Sequence, residues 1–413
     1  MKPPSERSLG PAGWAVYLGC SWTWCIGMFL PALLIRDLGF WGYVVFAVPN
    51  VVGAAAMGWV LRSPESSRKL VEDHRAAAVM FSRVTILFHV FWISWVGWIG
   101  AAMLSMNGIT NSVILAVLGS LTALAYAGAA VLNKSTDRRK HLASFLVWTV
   151  SAGLLLLVTL GPSVFRSDLG TLLKSKPFTM DVVWLLPASI FGFVFCPYLD
   201  LTFNRARQAC NKPSESRFAF GMGFGVFFCS MILLTLIYGT HLLNDFSSIA
   251  GWAAAYLILH IVAQLVVSVV FHSDELERTA PRSKSSLPVS GFAVLAAVIA
   301  AFGLLCNTTL EDVNAFGLTT GEFTYRLFLT FYALIFPTYV YLNVWDVRRR
   351  TLRRRTTQSM RVTLIAILLA APFFFMGFIV LDEIFIVPGI AFLLLAKLFT
   401  GPDDKPEPIA QPA

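Results

Sequence analysis

The sequence predicts an all-α integral membrane protein of about twelve transmembrane helices. Three observations lead there. Hydrophobic residues make up 57% of the chain and charged residues 13%, with a mean hydropathy of +0.70, where soluble domains are about a quarter charged. Apolar runs of the roughly 20 residues a helix needs to cross a bilayer recur along the whole length. With the N-terminus placed inside, all but five of the 32 Lys and Arg residues fall on the inner side, the exceptions being Arg36, Arg166, Lys174, Lys176 and Arg326. That asymmetry is the positive-inside pattern, so the net charge of +9 reads as membrane orientation and not as a nucleic-acid surface.

In chain order the expected spans are Trp14–Ile35, Phe40–Leu61, Ala77–Met103, Val113–Leu132, Leu142–Leu160, Val182–Asn204, Phe218–Thr240, Ile249–His272, Val289–Cys306, Tyr325–Trp345, Val362–Val380 and Ile384–Phe399. The first two are joined by Arg36-Asp37-Leu38-Gly39, room only for a tight turn. The basic stretch Arg62–Arg75 reads as a short cytoplasmic surface helix. Spans 4 and 5 are apolar scaffold. The tail from Gly401 is Pro-rich, polar and expected to be disordered. Residues 1–400 therefore form one membrane domain, with both termini cytoplasmic, in the inner (plasma) membrane. The six cysteines form no CxxC pair and read as small apolar residues, neither a disulfide framework nor a metal site.

Two spans carry a helix breaker in mid-run. Span 1 contains Gly27-Met28-Phe29-Leu30-Pro31, and span 6 contains Gly192-Phe193-Val194-Phe195-Cys196-Pro197. Proline removes a backbone hydrogen bond and clashes with the preceding turn, and freed backbone groups are tolerated in hydrocarbon only where protein or a polar cavity meets them. Matched interruptions in two halves of a chain point to a transporter's binding site. Small-residue patches answer each other as well, Gly53-Ala54-Ala55-Ala56-Met57-Gly58 in span 2 and Phe220-Gly221-Met222-Gly223-Phe224-Gly225 in span 7; such patches let helices approach closely. An offset of five spans makes the two broken helices antiparallel. The expected plan is thus a five-plus-five inverted repeat, about 12–161 and 182–345, with two extra helices over about 362–399.

On those breaks and patches the chain resembles transporters of the LeuT fold, the amino acid–polyamine–organocation superfamily, with sodium:solute and nucleobase:cation symporters as the nearest relatives. The resemblance implies a secondary active transporter that moves a small polar or zwitterionic solute by alternating access around helices 1 and 6. It also implies a coupling cation. Sodium-coupled members carry a Ser/Thr pair in the eighth helix, whereas span 8 here offers His260 and Gln264 at depth and Ser268 nearer the inside, which leaves Na⁺, H⁺ or no ion open. No other cofactor is expected. The expected partners are the bilayer and the solute; the oligomeric state is not legible. Two other readings are weighed beside it: a non-transporting sensor or scaffold that keeps the fold, and a membrane-embedded acyl or lipid transferase using His89 or His260 as base.

The candidate substrate residues are Cys25, Gly27, Phe29 and Pro31 at the first break, and Phe195, Pro197 and Tyr198 at the second. His89 and Trp92 on span 3 and His260 on span 8 join them, since ionisable groups at depth are functional candidates. Ion or gate candidates are Met28, Arg36, Arg83, Asp200 and Gln264. Arg83 and Asp200 are expected to pair as an inner gate, with Arg36-Asp37 as the outer counterpart.

Overall fold

The computed structural model describes residues 9–106, 110–160, 176–244, 251–280, 313–346, 351–352 and 356–401. The ninth expected span, most of the loop before span 6, the arginine run near 350 and the tail lie outside the described residues. The first span is a bent pair, α1 (Gly10–Trp22) and α2 (Cys25–Leu38), meeting at 54°. Next come α3 (Phe40–Val60), the short α4 (Pro64–Asp73), α5 (Arg75–Met106), α6 (Asn111–Leu132) and α7 (Asp137–Leu160). The sixth span is α8 (Met180–Phe195), a 3₁₀ turn (Cys196–Leu199) and α9 (Leu201–Ala209). The seventh is α10 (Pro213–Met222), a π turn (Gly223–Phe228) and α11 (Cys229–Asn244), and the eighth is α12 (Gly251–Thr279). The tenth is α13 (Thr320–Thr330), then π turns at Phe331–Ile335 and Val340–Val344 flanking α14 (Phe336–Tyr339). The chain closes with α15 (Thr357–Phe375) and α16 (Ile386–Ala396).

Nine helices among the described residues are long and apolar enough to cross a membrane, and the bent pair makes ten. The twelfth expected span is shorter than expected, an 11-residue α16 flanked by 3₁₀ turns. This is a multi-pass membrane protein. Its lipid-facing surface is clearest on α6, where Leu124 and Val131 are 67% and 68% exposed.

Local chemistry explains the joints. Gly39, between α2 and α3, has φ of +67°, a conformation glycine adopts without strain. Ser63 caps α4 by accepting from Ser66 N at 3.1 Å, with Pro64 in the first turn. That helix does not simply lie on the surface: its buried Ser67 donates to Asn204 Oδ1 at 2.7 Å, docking α4 onto α9. The small-residue patches act as expected. A Cβ on Gly53 would fall 2.4 Å from the Phe193 carbonyl oxygen, and one on Gly58 would fall 2.6 Å from Phe220 Cβ, so α3 reaches α8 and α10 at backbone distance.

Candidate functional site

The interruption in span 1 lies four residues before the Gly27–Pro31 stretch that the sequence singled out. Thr23 and Trp24 leave the helical region (ψ of 70° and 177°), while Pro31 sits inside the continuous α2. The reason is hydrogen bonding. Proline has no N–H to give the carbonyl four residues back, and that carbonyl, on Gly27, accepts instead from the Thr235 hydroxyl at 3.0 Å. With its loss made good from α11, α2 stays whole. At Thr23–Trp24 the ladder does open: the Cys20 carbonyl accepts from Ser268 Oγ at 3.1 Å, and the Ser21 carbonyl from Trp24 Nε1.

In span 6 the α-helix passes into a 3₁₀ turn after Phe195, and the backbone leaves the helical region only beyond Pro197. Pro197 lies in the 3₁₀ turn and Asp200 is extended (ψ of 115°). Asp200 caps α9, its Oδ1 accepting from Thr202 N and Thr202 Oγ1, both at 2.7 Å. Asn204 reaches back to the Tyr198 and Asp200 carbonyls at 3.0 and 2.9 Å. The two breaks touch. Thr202 Oγ1 lies 3.1 Å from Ser21 Oγ, and the rings of Trp22 and Phe203 lie 4.8 Å apart.

A narrow cleft with about 80 Å³ of free volume opens beside this junction. Trp22, Trp24 and Gly27 of span 1, Asn50 of α3, Gly192 and Cys196 of span 6 and Tyr332 of span 10 line its depth, and Asp37, Arg326 and Glu383 its mouth. Asn50 is held there by Trp22 Nε1, which donates to its Oδ1 at 2.6 Å. Trp24, 2% exposed, separates this cleft from a second polar group. Its indole centroid is 5.3 Å from His272, 6.1 Å from His89, 5.5 Å from Phe81 and 5.4 Å from Tyr332.

The expected site residues therefore divide. Gly27 lines the cleft; His89, Trp92 and His260 do not. His89 lies across Trp24, its Nδ1 2.7 Å from the Thr85 carbonyl. His260 faces Ser151 at 2.7 Å, and Gln264 donates to Met231 Sδ at 2.7 Å, so these two belong to a separate cluster between α7, α11 and α12. Cys25, Met28 and Phe29 are buried in packing: the Tyr325 hydroxyl donates to the Cys25 carbonyl at 3.0 Å, the Tyr238 hydroxyl to the Met28 carbonyl, and Phe29 meets Trp95 and Tyr325 edge-on. The rings of Phe195 and Tyr198 pack on Tyr341 and Trp345, at 5.5 and 5.4 Å. Asp200 does not face Arg83, as the sequence led us to expect; its free oxygen lies 3.9 Å from His272 Nε2. His272 was missed. The signal was present, however, as His260, Gln264, Ser268 and His272 recur every fourth residue and all four are fully buried, a polar stripe on one helix face.

Charge clusters close both ends of this region. At the cleft mouth Arg36 grips Glu322 with two nitrogens at 2.9 and 2.6 Å and Asp37 at 2.8 Å, and Arg326 bridges Asp37 at 2.6 Å and Glu322 at 2.9 Å. The sequence places Arg326 among the outer-side charges, but its pairing with Asp37 and Glu322 was not legible there. At the other end Arg205 of α9 binds Asp137 at 2.6 Å, lies 3.9 Å from Glu275 and stacks over Trp14 at 5.6 Å. Beside it Lys140 and Asp274 pair at 2.6 Å, 2% and 3% exposed.

No protein-family profile and no curated protein sequence matches the chain. Solved structures do. One is a Na⁺-coupled sialic acid symporter in a substrate-bound outward-open state, aligned over 97% of this chain and 92% of its own at 13% identity, with a TM-score of 0.54. A nucleobase-cation-symport-1 family transporter, closed with bromovinylhydantoin bound, aligns over 96% and 92% at 13% identity, with a TM-score of 0.46. The chain has the LeuT fold.

Proposed function

We propose that this protein is a secondary active transporter that moves a small polar or zwitterionic solute, coupled to a cation, by alternating access around the interruptions in spans 1 and 6. One observation carries the reading: the interruptions of spans 1 and 6 meet beside a narrow cleft whose mouth is held shut by ion pairs. Broken helices lend loose main-chain ends to substrates and ions, and a hydrocarbon environment permits irregular backbone only beside such a cavity or within protein. The proposed repeat halves, about 12–161 and 182–345, put these breaks in equivalent positions. The cluster around Arg205 would then close one face and the cluster around Arg36 the other, each opening in turn. By charge distribution the Arg36 end faces outward and both termini lie in the cytoplasm.

The test is solute counterflow in proteoliposomes, across amino acids, quaternary amines and small sugar acids, with Na⁺ or a pH gradient imposed. At least one solute should exchange above the rate of protein-free vesicles, and Gly192→Leu, which fills the cleft beside Tyr332, should abolish that exchange in folded protein. Absence of exchange for every solute under every gradient would favour the sensor or scaffold reading, for which the indole of Trp24 filling the space between the breaks is the supporting observation.

A further inference from the structure

The region behind Trp24 holds polar groups that nothing so far described uses. Asp200 is fully buried and directs Oδ1 to Thr202, yet Oδ2 has no hydrogen-bond partner. His272 is fully buried; the Ser21 carbonyl interacts with its ring, and neither nitrogen has a well-formed hydrogen bond. The two face each other, Nε2 to Oδ2, at 3.9 Å, and the second histidine on the Trp24 ring, His89, also leaves Nε2 without a partner. Buried polar groups are almost always paired, and an isolated buried carboxylate is costly. A neutral imidazole carries one N–H, and across 3.9 Å it is not bonded to this carboxylate; a second proton on the ring would draw the two together. Uptake of a proton from hydronium in the bulk, which leaves water behind, by the imidazole lone pair would give an imidazolium–carboxylate pair, closing by about 1 Å to a charge-assisted hydrogen bond of about 2.7–2.9 Å.

Other ionisable groups bear on the pair. His89 faces it from α5, Tyr17 from α1, Tyr332 from span 10, Cys196 from the 3₁₀ turn of span 6, and Glu275 from one turn along α12. Among these His272 is the one whose protonation puts a positive charge against Asp200. Tyr17, whose hydroxyl is unpartnered, feels both Asp200 and the Glu275–Arg205–Asp137 cluster and so connects the pair to that end of the bundle. Trp24 connects it to the cleft. The main-chain oxygens a metal cation would want, on Cys20, Gly27 and Met28, already accept from Ser268, Thr235 and Tyr238.

We propose that Asp200 and His272 together bind one exchangeable proton, and that this proton is the cation coupled to solute movement; the second part rests on the transport reading above. The proton binds from the water of one face and returns to the water of the other, with no other bond made or broken.

The test uses the full chain in lipid nanodiscs with ¹⁵N-labelled histidine, His272→Gln identifying the signal. In the wild type the His272 ring should pass from imidazole to imidazolium as pH is lowered, over about two pH units for a single proton. Asp200→Asn keeps an N-cap acceptor for Thr202 and should lower the proton affinity of that ring at least tenfold. An imidazole that stays neutral from about pH 9 to about pH 5 overturns the proposal. So does a site on which NaCl, replacing KCl, competes with the proton tenfold and loses that effect in Asp200→Asn. With a transported solute in hand, His272→Gln should retain exchange and lose accumulation driven by a pH gradient. A titrating pair in a protein that exchanges no solute would remove the transport reading and the coupling role with it, while the proton site itself would stand.

Discussion

Arg326→Gln is the sharpest probe of the charge cluster at the cleft mouth. The Arg326 side chain is 5% exposed and its partners Glu322 and Asp37 are 9% and 17% exposed. Removing one member of a buried ion pair costs about 3–5 kcal/mol. Here Arg36 remains on both carboxylates, but at 35% exposure it is screened by solvent, so about 2–3 kcal/mol is the fitting figure. If the cluster exists only while this mouth is shut, the whole amount shifts the closed–open balance, about 30- to 150-fold toward open. The assay is maleimide labelling of Ser189→Cys, which lines the cleft, in a background free of native cysteines. The labelling rate should rise by that factor, and Arg326→Lys, which keeps the charge, should leave it nearer the wild-type value. A labelling rate unchanged within twofold, alongside a lowered melting temperature, would show a static brace in place of a gate and refute the reasoning.

The remaining predictions concern other contacts. Lys140→Met alone strands a buried Asp274 and should destabilise the purified protein by about 3–5 kcal/mol, while Lys140→Met with Asp274→Leu should recover most of it, as read by thermal melting. Thr235→Val leaves the Gly27 carbonyl without a donor and should cost about 1–3 kcal/mol, with Thr235→Ser restoring it. Burial pushes the Glu383 carboxyl up to about 7, Asp181 and Asp37 adding to the shift and Arg326 opposing it. A raised carboxyl favours the folded state while protonated. Wild-type stability should therefore fall relative to Glu383→Gln as pH rises from about 4.5 to about 7, a difference visible in paired melting curves. Gly53→Leu should abolish folded protein in a size-exclusion assay, since no side chain fits against the Phe193 carbonyl.

Hydropathy and charge asymmetry made the spans legible because each reports on a whole segment in a uniform solvent, and such signals tolerate local error. The break in span 1 was misplaced for the opposite reason. A proline states only that one carbonyl loses its donor; it does not say whether a neighbouring helix supplies another, and Thr235 lies 208 residues away. In span 6 the proline itself lies in a 3₁₀ turn, and the chain becomes extended three residues later at Asp200. Pairings between distant charges were the least readable. Arg83 and Asp200 were matched by depth alone, whereas the partner of Asp200 depended on how α12 is rotated. The four-residue spacing from His260 to His272 carried that information within one helix.

The helix that repairs the proline also limits how the first span can move. Gly239 and Thr235 of α11 press on Ala32 and Gly27, and the π turn of span 7 lies against Gly19 and Gly27, while Gly223 abuts Ala15. Span 7 thus shadows span 1 on both sides of its 54° bend, with its own irregular turn alongside. With these contacts kept, a swing of α2 about Trp24 would carry α11 with it and would bend the chain at the Gly223–Phe228 turn.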